Sequence, residues 1–112
     1  MPLVTLHCVT INAVDPGALA DFWAALTGGT AREAGNGFVL VESADSGPRL
    51  LFQKADAPTT EPGWIHLDFY AADRADAVAE ICRLGGSLVE HRSDSVAEWT
   101  VMADPEGNPF CI

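Results

Sequence analysis

The sequence predicts an α+β fold of two successive β-α-β-β-β units forming a cup-shaped mixed sheet. Three observations carry this. Two stretches, Leu3 to Asn12 and Trp64 to Tyr70, alternate like half-buried strands, and each leads to an Asp suited to cap a helix. Those caps, Asp15 and Asp73, stand 58 residues apart, and the same offset joins Cys8 to His66, Phe52 to Phe110 and Gln53 to Cys111. The Gly-Gly pairs that close the two helical patterns, Gly28-Gly29 and Gly85-Gly86, differ by 57. Few residues are identical between the halves, so the repeat is one of architecture.

In the first strand Val9 and Ile11 share one face while Cys8, Thr10 and Asn12 share the other. Asp15 then serves as N-cap with Pro16 at the first helical position, where its missing N–H is harmless. Leu19, Phe22, Trp23 and Leu26 follow at helical spacing as one buried stripe. Thr30 to Glu33 reads as a short strand. After the Gly35-Asn36-Gly37 turn, Phe38 to Glu42 is another strand, and Ala44 to Pro48 a further turn. Arg49 to Lys54 is the last strand of the unit, with Arg49, Leu51 and Gln53 opposite Leu50 and Phe52. Ala55 to Pro62 reads as a linker.

The pattern then restarts. In Trp64 to Tyr70, Ile65, Leu67 and Phe69 form the dry face; Trp64, His66, Asp68 and Tyr70 form a second face fit to wall a small-molecule pocket. The helix after Asp73 carries Val78, Ile81 and Cys82 as its core stripe. Ser87 to His91 and Glu98 to Ala103 are strands, with His91 at an exposed strand end. Asp104-Pro105-Glu106-Gly107 has the chemistry of a type I turn, and Pro109 to Ile112 is a closing strand. The chain is expected to be one domain, residues 1–112, with units at 1–54 and 63–112 joined by the linker at 55–62.

Composition narrows the partners. With 112 residues and 48% hydrophobic content the chain is long enough for a core of its own. Sixteen acidic residues against six Lys and Arg give a formal charge of −10, which argues against nucleic acid or an anionic membrane as partner. No apolar run approaches the roughly 18 residues needed to span a bilayer. Three cysteines without a C-x-x-C pair, and no apolar leader, make a reduced cytoplasmic setting the expectation. Neither Gly pair forms a phosphate-binding loop.

A β-α-β-β-β repeat with His66-Leu67-Asp68 on the fifth strand and Asp104 to Cys111 closing the chain resembles the vicinal oxygen chelate superfamily. Asp15-Pro16, Asp21-Phe22-Trp23 and Leu50-Leu51-Phe52-Gln53 add to a resemblance that covers essentially the whole chain, nearest to its small glyoxalase-like domain proteins. That superfamily includes glyoxalase I, extradiol dioxygenases, fosfomycin-resistance proteins and bleomycin-binding proteins. The resemblance implies a small-molecule ligand, a homodimer, and, in metal-using members, a divalent ion (Zn, Ni, Mn or Fe) held by the first and last strands of each unit.

The positions matched by the repeat are Cys8, Gln53, His66 and Cys111, and only His66 is of the expected type. The candidate metal ligands are therefore His66, Gln53 and His7. Alternation sends His7 to the helix side, but a bulge would turn it inward in place of Cys8. His66 is either a ligand or a neutral histidine hydrogen-bonded in the pocket wall. No Glu occupies a last strand where such enzymes keep their base, which leaves Asp68, on the His66 face, as the candidate catalytic base. Candidate pocket residues are Cys8, Thr10, Arg49, Leu51, Gln53, Trp64, His66, Tyr70, Trp99 and Cys111, with Arg49 as a possible anion clamp and the aromatics as stacking surfaces. Two functions follow: a divalent-metal lyase, isomerase or dioxygenase, or a metal-independent protein that binds and sequesters a small molecule.

Overall fold

Asp15 accepts a hydrogen bond from the Ala18 N–H at 3.1 Å in a computed structural model that describes residues 6–45, 47–57, 67–95 and 97–112. This cap starts helix α1, Pro16–Thr27, with Pro at its first turn as predicted. Leu19, Ala20, Phe22 and Trp23 are its buried residues, and the Phe22 and Trp23 rings meet edge-on with centroids 5.4 Å apart. Leu26 is only half-buried. Gly28 ends the helix at φ 68°, where a side chain would be strained, and the Gly29 N–H reaches back to the Ala24 carbonyl at 2.8 Å.

The chain forms two compact units, Met1–Thr59 and Thr60–Ile112. In the first, strands β1 (Cys8–Ala13), β2 (Thr30–Gly35), β3 (Phe38–Glu42) and β4 (Arg49–Lys54) make one sheet in the order β1-β4-β3-β2. β1 runs parallel to β4; the other pairs are antiparallel. α1 packs on this sheet. Val41, Leu50, Phe52 and Ala13 are buried with the helix stripe, so one face of the sheet is core. The opposite face carries Cys8, Thr10 and Asn12 beside Arg49, Leu51 and Gln53, residue by residue across the parallel pair. Turn residue Asn36 takes φ 52° between Gly35 and Gly37, both also at positive φ.

The second unit repeats the plan with β5 (Leu67–Asp68), helix α2 (Arg74–Arg83), β6 (Ser87–Ser93), β7 (Glu98–Ala103) and β8 (Pro109–Cys111). Its sheet runs β5-β8-β7-β6, again with the first pair parallel. Asp73 caps α2 by accepting from the Asp76 N–H at 3.0 Å. The helix closes with Gly86 N–H to the Ile81 carbonyl at 2.9 Å and Gly85 N–H to the Cys82 carbonyl at 3.1 Å, the paired bonds of a Schellman motif. Ile81, Met102 and Phe110 are fully buried, and Phe69 meets Phe110 edge-on.

Four sequence expectations need correction. Within the described residues the fifth strand is only Leu67–Asp68; Phe69 still donates to the Cys111 carbonyl at 2.8 Å, after which the chain leaves the short β8 to reach α2. β1 begins at Cys8, residues 1–5 lying outside the described residues. Cys82 is exposed rather than core, because the buried line of α2 centres on Ile81 and Cys82 lies about 100° further round. His91 stands inside β6, which continues to Ser93, and its Nδ1 lies 2.7 Å from the Thr100 hydroxyl. Among the described residues no helix is long and apolar enough to cross a membrane.

Candidate functional site

The strand register builds a row of side chains across the second sheet. Thr100 and Met102 are buried on the α2 side, so Trp99 and Val101 take the other face of β7. Val101 stands opposite Cys111 on one side and Glu90 on the other, and Cys111 in turn stands opposite Asp68. Arg92 lies opposite Trp99 in the next row. Together with Arg74 from the first turn of α2, these residues line a cleft of about 1030 Å³. Trp99 and Cys111 are half-buried, whereas Tyr70, also on its lining, is 98% exposed.

Charge in the cleft is largely paired. Arg92 Nε donates to Glu90 at 2.6 Å, and Arg74 donates to the Glu98 carbonyl at 2.8 Å with the Glu98 carboxylate 3.5 Å away. Arg74 Nε is buried and has no acceptor among the described residues. Burial, the charge of Asp68 and a hydrogen bond to its carboxylate push the Cys111 thiol above its ordinary value, against a smaller pull from Arg92. Cys111 therefore keeps its proton and donates it to Asp68.

That pair has a counterpart in the first unit. Gln53 Nε2 donates to Asn12 Oδ1 at 2.6 Å across β1 and β4. With Gln53 equivalent to Cys111, the register makes Asn12 equivalent to Asp68, an offset of 56 rather than 58 on the first strands. Two extra residues between β5 and Asp73 restore the offset at the helix caps. The matching of Cys8 to His66 by a constant offset is thus replaced by the pairing of Asn12 with Asp68.

The candidate residues fall into separate groups. Asp68, Tyr70, Trp99 and Cys111 are brought together in the cleft. Cys8, Thr10, Arg49, Leu51 and Gln53 share the open face of the first sheet. His7 precedes β1, with its Nδ1 2.6 Å from the Arg49 guanidinium; a guanidinium can only donate, so this nitrogen accepts. Trp64 and His66 lie outside the described residues. Sequence reading passed over Asn12, Arg74, Glu90 and Arg92. Asn12 shares the parity of Thr10 and was open to recognition; Glu90 and Arg92 needed a strand running past His91.

Among the described residues no three His, Cys, Asp or Glu side chains gather where a metal ion could be held. Gln53 donates its Nε2, not a ligating atom, to Asn12, and His7 Nδ1 is taken up by Arg49. Asp68 and Cys111 give two donors, one a protonated thiol. The described donor set does not fit a divalent ion.

Paired β-α-β-β-β units of this topology define the vicinal oxygen chelate fold. The chain belongs to the glyoxalase-like domain family, whose model matches residues 8–112. No curated protein matches the chain by sequence. A fosfomycin resistance protein, FosX, from Listeria monocytogenes, solved as a mutant with Mn(II) and a dihydroxypropylphosphonic acid, superposes with TM-score 0.76 at 14% identity, covering 99% of this chain and 89% of that one. A glyoxalase family protein from Enterococcus faecalis gives 0.72 at 23% identity, covering 99% and 98%. A glyoxalase/bleomycin resistance protein/dioxygenase family enzyme from Burkholderia phytofirmans PsJN gives 0.71 at 19% identity, covering 97% of each chain. At these identities the likeness is one of fold, and sites do not follow from fold.

Proposed function

We propose that the chain binds a small molecule on the open face of its second unit, without a metal ion. The observation that supports this most is the cleft itself. Its volume, about 1030 Å³, is at the upper end of ligand sites, and it joins the half-buried Trp99 to a few polar groups. Trp99 and Val101 supply an apolar floor on which a flat body stacks. Arg74 Nε, buried without an acceptor, is satisfied by a carbonyl or carboxylate oxygen of the ligand. Asp68 and Cys111 offer a carboxylate and a retained thiol proton beside it. The favoured ligand is a flat, partly apolar molecule with one such oxygen.

A thermal-shift screen of flat carbonyl and carboxylate compounds tests the reading. A hit raises Tm, and Trp99→Ala and Arg74→Leu each weaken it. Recovery of the hit unchanged from the protein supports binding and sequestration; its conversion to product refutes it.

A second reading has the place of Asp68 in the cleft in its favour. There Asp68 acts as the base of an enzyme that takes a proton from its bound substrate. Asp68→Asn would then abolish turnover, and activity retained in that variant removes this reading.

A further inference from the structure

Two guanidiniums stand in the cleft, and arginines in a cleft ordinarily mark a site for anions. Here both are already engaged. One Glu90 oxygen takes both Nε and Nη2 of Arg92, at 2.6 and 2.5 Å. Glu98 takes the two ends of Arg74: its carbonyl accepts from Nη2 at 2.8 Å, and its carboxylate lies 3.5 Å from Nη1. The Arg74 nitrogen without an acceptor among the described residues is Nε, which carries one N–H and not a fork.

Both ion pairs are partly exposed, so they add little to stability. Their effect is on the charge a ligand meets. Among the described residues, Asp68, Glu90 and Glu98 line the cleft against Arg74 and Arg92, three carboxylates to two guanidiniums. The positive end of α2, where Arg74 sits, is answered too. Asp73 accepts there from the Asp76 N–H at 3.0 Å, and Asp76 adds a second carboxylate to the same turn. The chain as a whole carries a formal charge of −10, which repels an anion before it arrives. Trp99 has one pair on each side: Glu98 precedes it on β7, and Arg92 stands opposite it on β6.

On the reading that the cleft binds a small molecule, we infer that it selects an uncharged acceptor, a flat ring bearing a carbonyl of the amide or lactam kind, and excludes carboxylates and phosphates, with Glu90 and Glu98 setting that choice. A carboxylate entering beside Trp99 gives up its hydration, finds one N–H where it needs two or more, and adds to the negative charge of the lining. A carbonyl oxygen loses far less hydration, and the single Nε–H suffices for it. The N–H groups of an amide or lactam find acceptors in the carboxylates of the wall.

Calorimetric titration with naphthamide and naphthoate tests this, since the two share a shape and a stacking area and differ in charge. At neutral pH the wild type is expected to bind the amide about tenfold or more tighter than the acid. Trp99→Ala weakens both, which places them in the cleft. Glu98→Gln and Glu90→Gln each remove the charge set against one arginine at nearly constant shape. Each therefore lowers the amide-to-acid affinity ratio about threefold or more, and the double variant lowers it further. Should one variant misfold by circular dichroism, the other decides. A wild type that prefers naphthoate, or takes both alike through Trp99, overturns the inference and leaves the cleft a ligand site. So does a ratio that neither substitution lowers. Uptake of neither probe, or uptake indifferent to Trp99→Ala, overturns the reading of the cleft and this inference with it.

Discussion

Asp104 shows how much one carboxylate can organise. It is only 3% exposed, and its Oδ1 accepts from the backbone N–H groups of Glu106 and Asn108 and from the Asn108 side chain. The Gly107 N–H closes the turn on the Asp104 carbonyl at 2.9 Å. Removing the carboxylate strands these donors, so Asp104→Ala is expected to lower unfolding free energy by about 1–3 kcal/mol in urea titrations. Cys111 gives a prediction in pH. The folded chain holds its thiol proton more tightly than the unfolded chain, so this stabilisation is complete below the ordinary thiol value of 9.0 and disappears as pH rises through the higher folded value. Stability of wild type should therefore fall more steeply in alkali than that of Cys111→Ala. Asp68→Asn should speed alkylation of Cys111 at mildly alkaline pH, since the negative neighbour gives way to a neutral amide whose N–H can donate to the thiolate; an unchanged rate would mean that Asp68 does not govern the thiol.

At the scale of elements, the helix boundaries were the most legible part of the chain. Asp15 and Asp73 cap as their residue type and position predict, and the Gly pairs stop both helices. Gly86 is needed for a second reason: a Cβ there would come 2.6 Å from Ile81 Cγ2 and 2.9 Å from the Ala103 carbonyl. Gly86→Ala should cost about 1–3 kcal/mol by chemical denaturation, as overpacking does, despite the better intrinsic propensity of Ala. Strands β3, β4 and β7 were also readable to the residue, because alternation and flanking turns bound them on both sides. The register of β5 was not. Equal spacing of landmarks cannot reveal where two residues are inserted, and only the pairing of Leu67 with Phe110 and Asp68 with Cys111 shows it. The burial of Cys82 was misjudged because a ten-residue helix with one fully buried residue offers a narrower stripe than i, i+3, i+4 spacing suggests.

For the whole molecule, the repeat and the family were open to sequence reading, while the lining of the cleft was only half so. Asp68 and Tyr70 stand out by alternation, Cys111 by the repeat and Trp99 as an aromatic able to stack, and all four line one cleft. Arg74 and the Glu90–Arg92 pair depend on helix entry and strand length, which periodicity does not fix. The central claim is that this cleft holds a small molecule through Trp99 and Arg74 without a metal. Calorimetric titration of the best screening hit into chelator-treated protein, compared between wild type, Trp99→Ala and His66→Ala, tests it most directly. The account predicts binding that survives chelation, weakens about tenfold or more in Trp99→Ala, a loss near 1.4 kcal/mol, and persists in His66→Ala. Binding that requires an added divalent ion, ignores Trp99 and vanishes with His66 would contradict it.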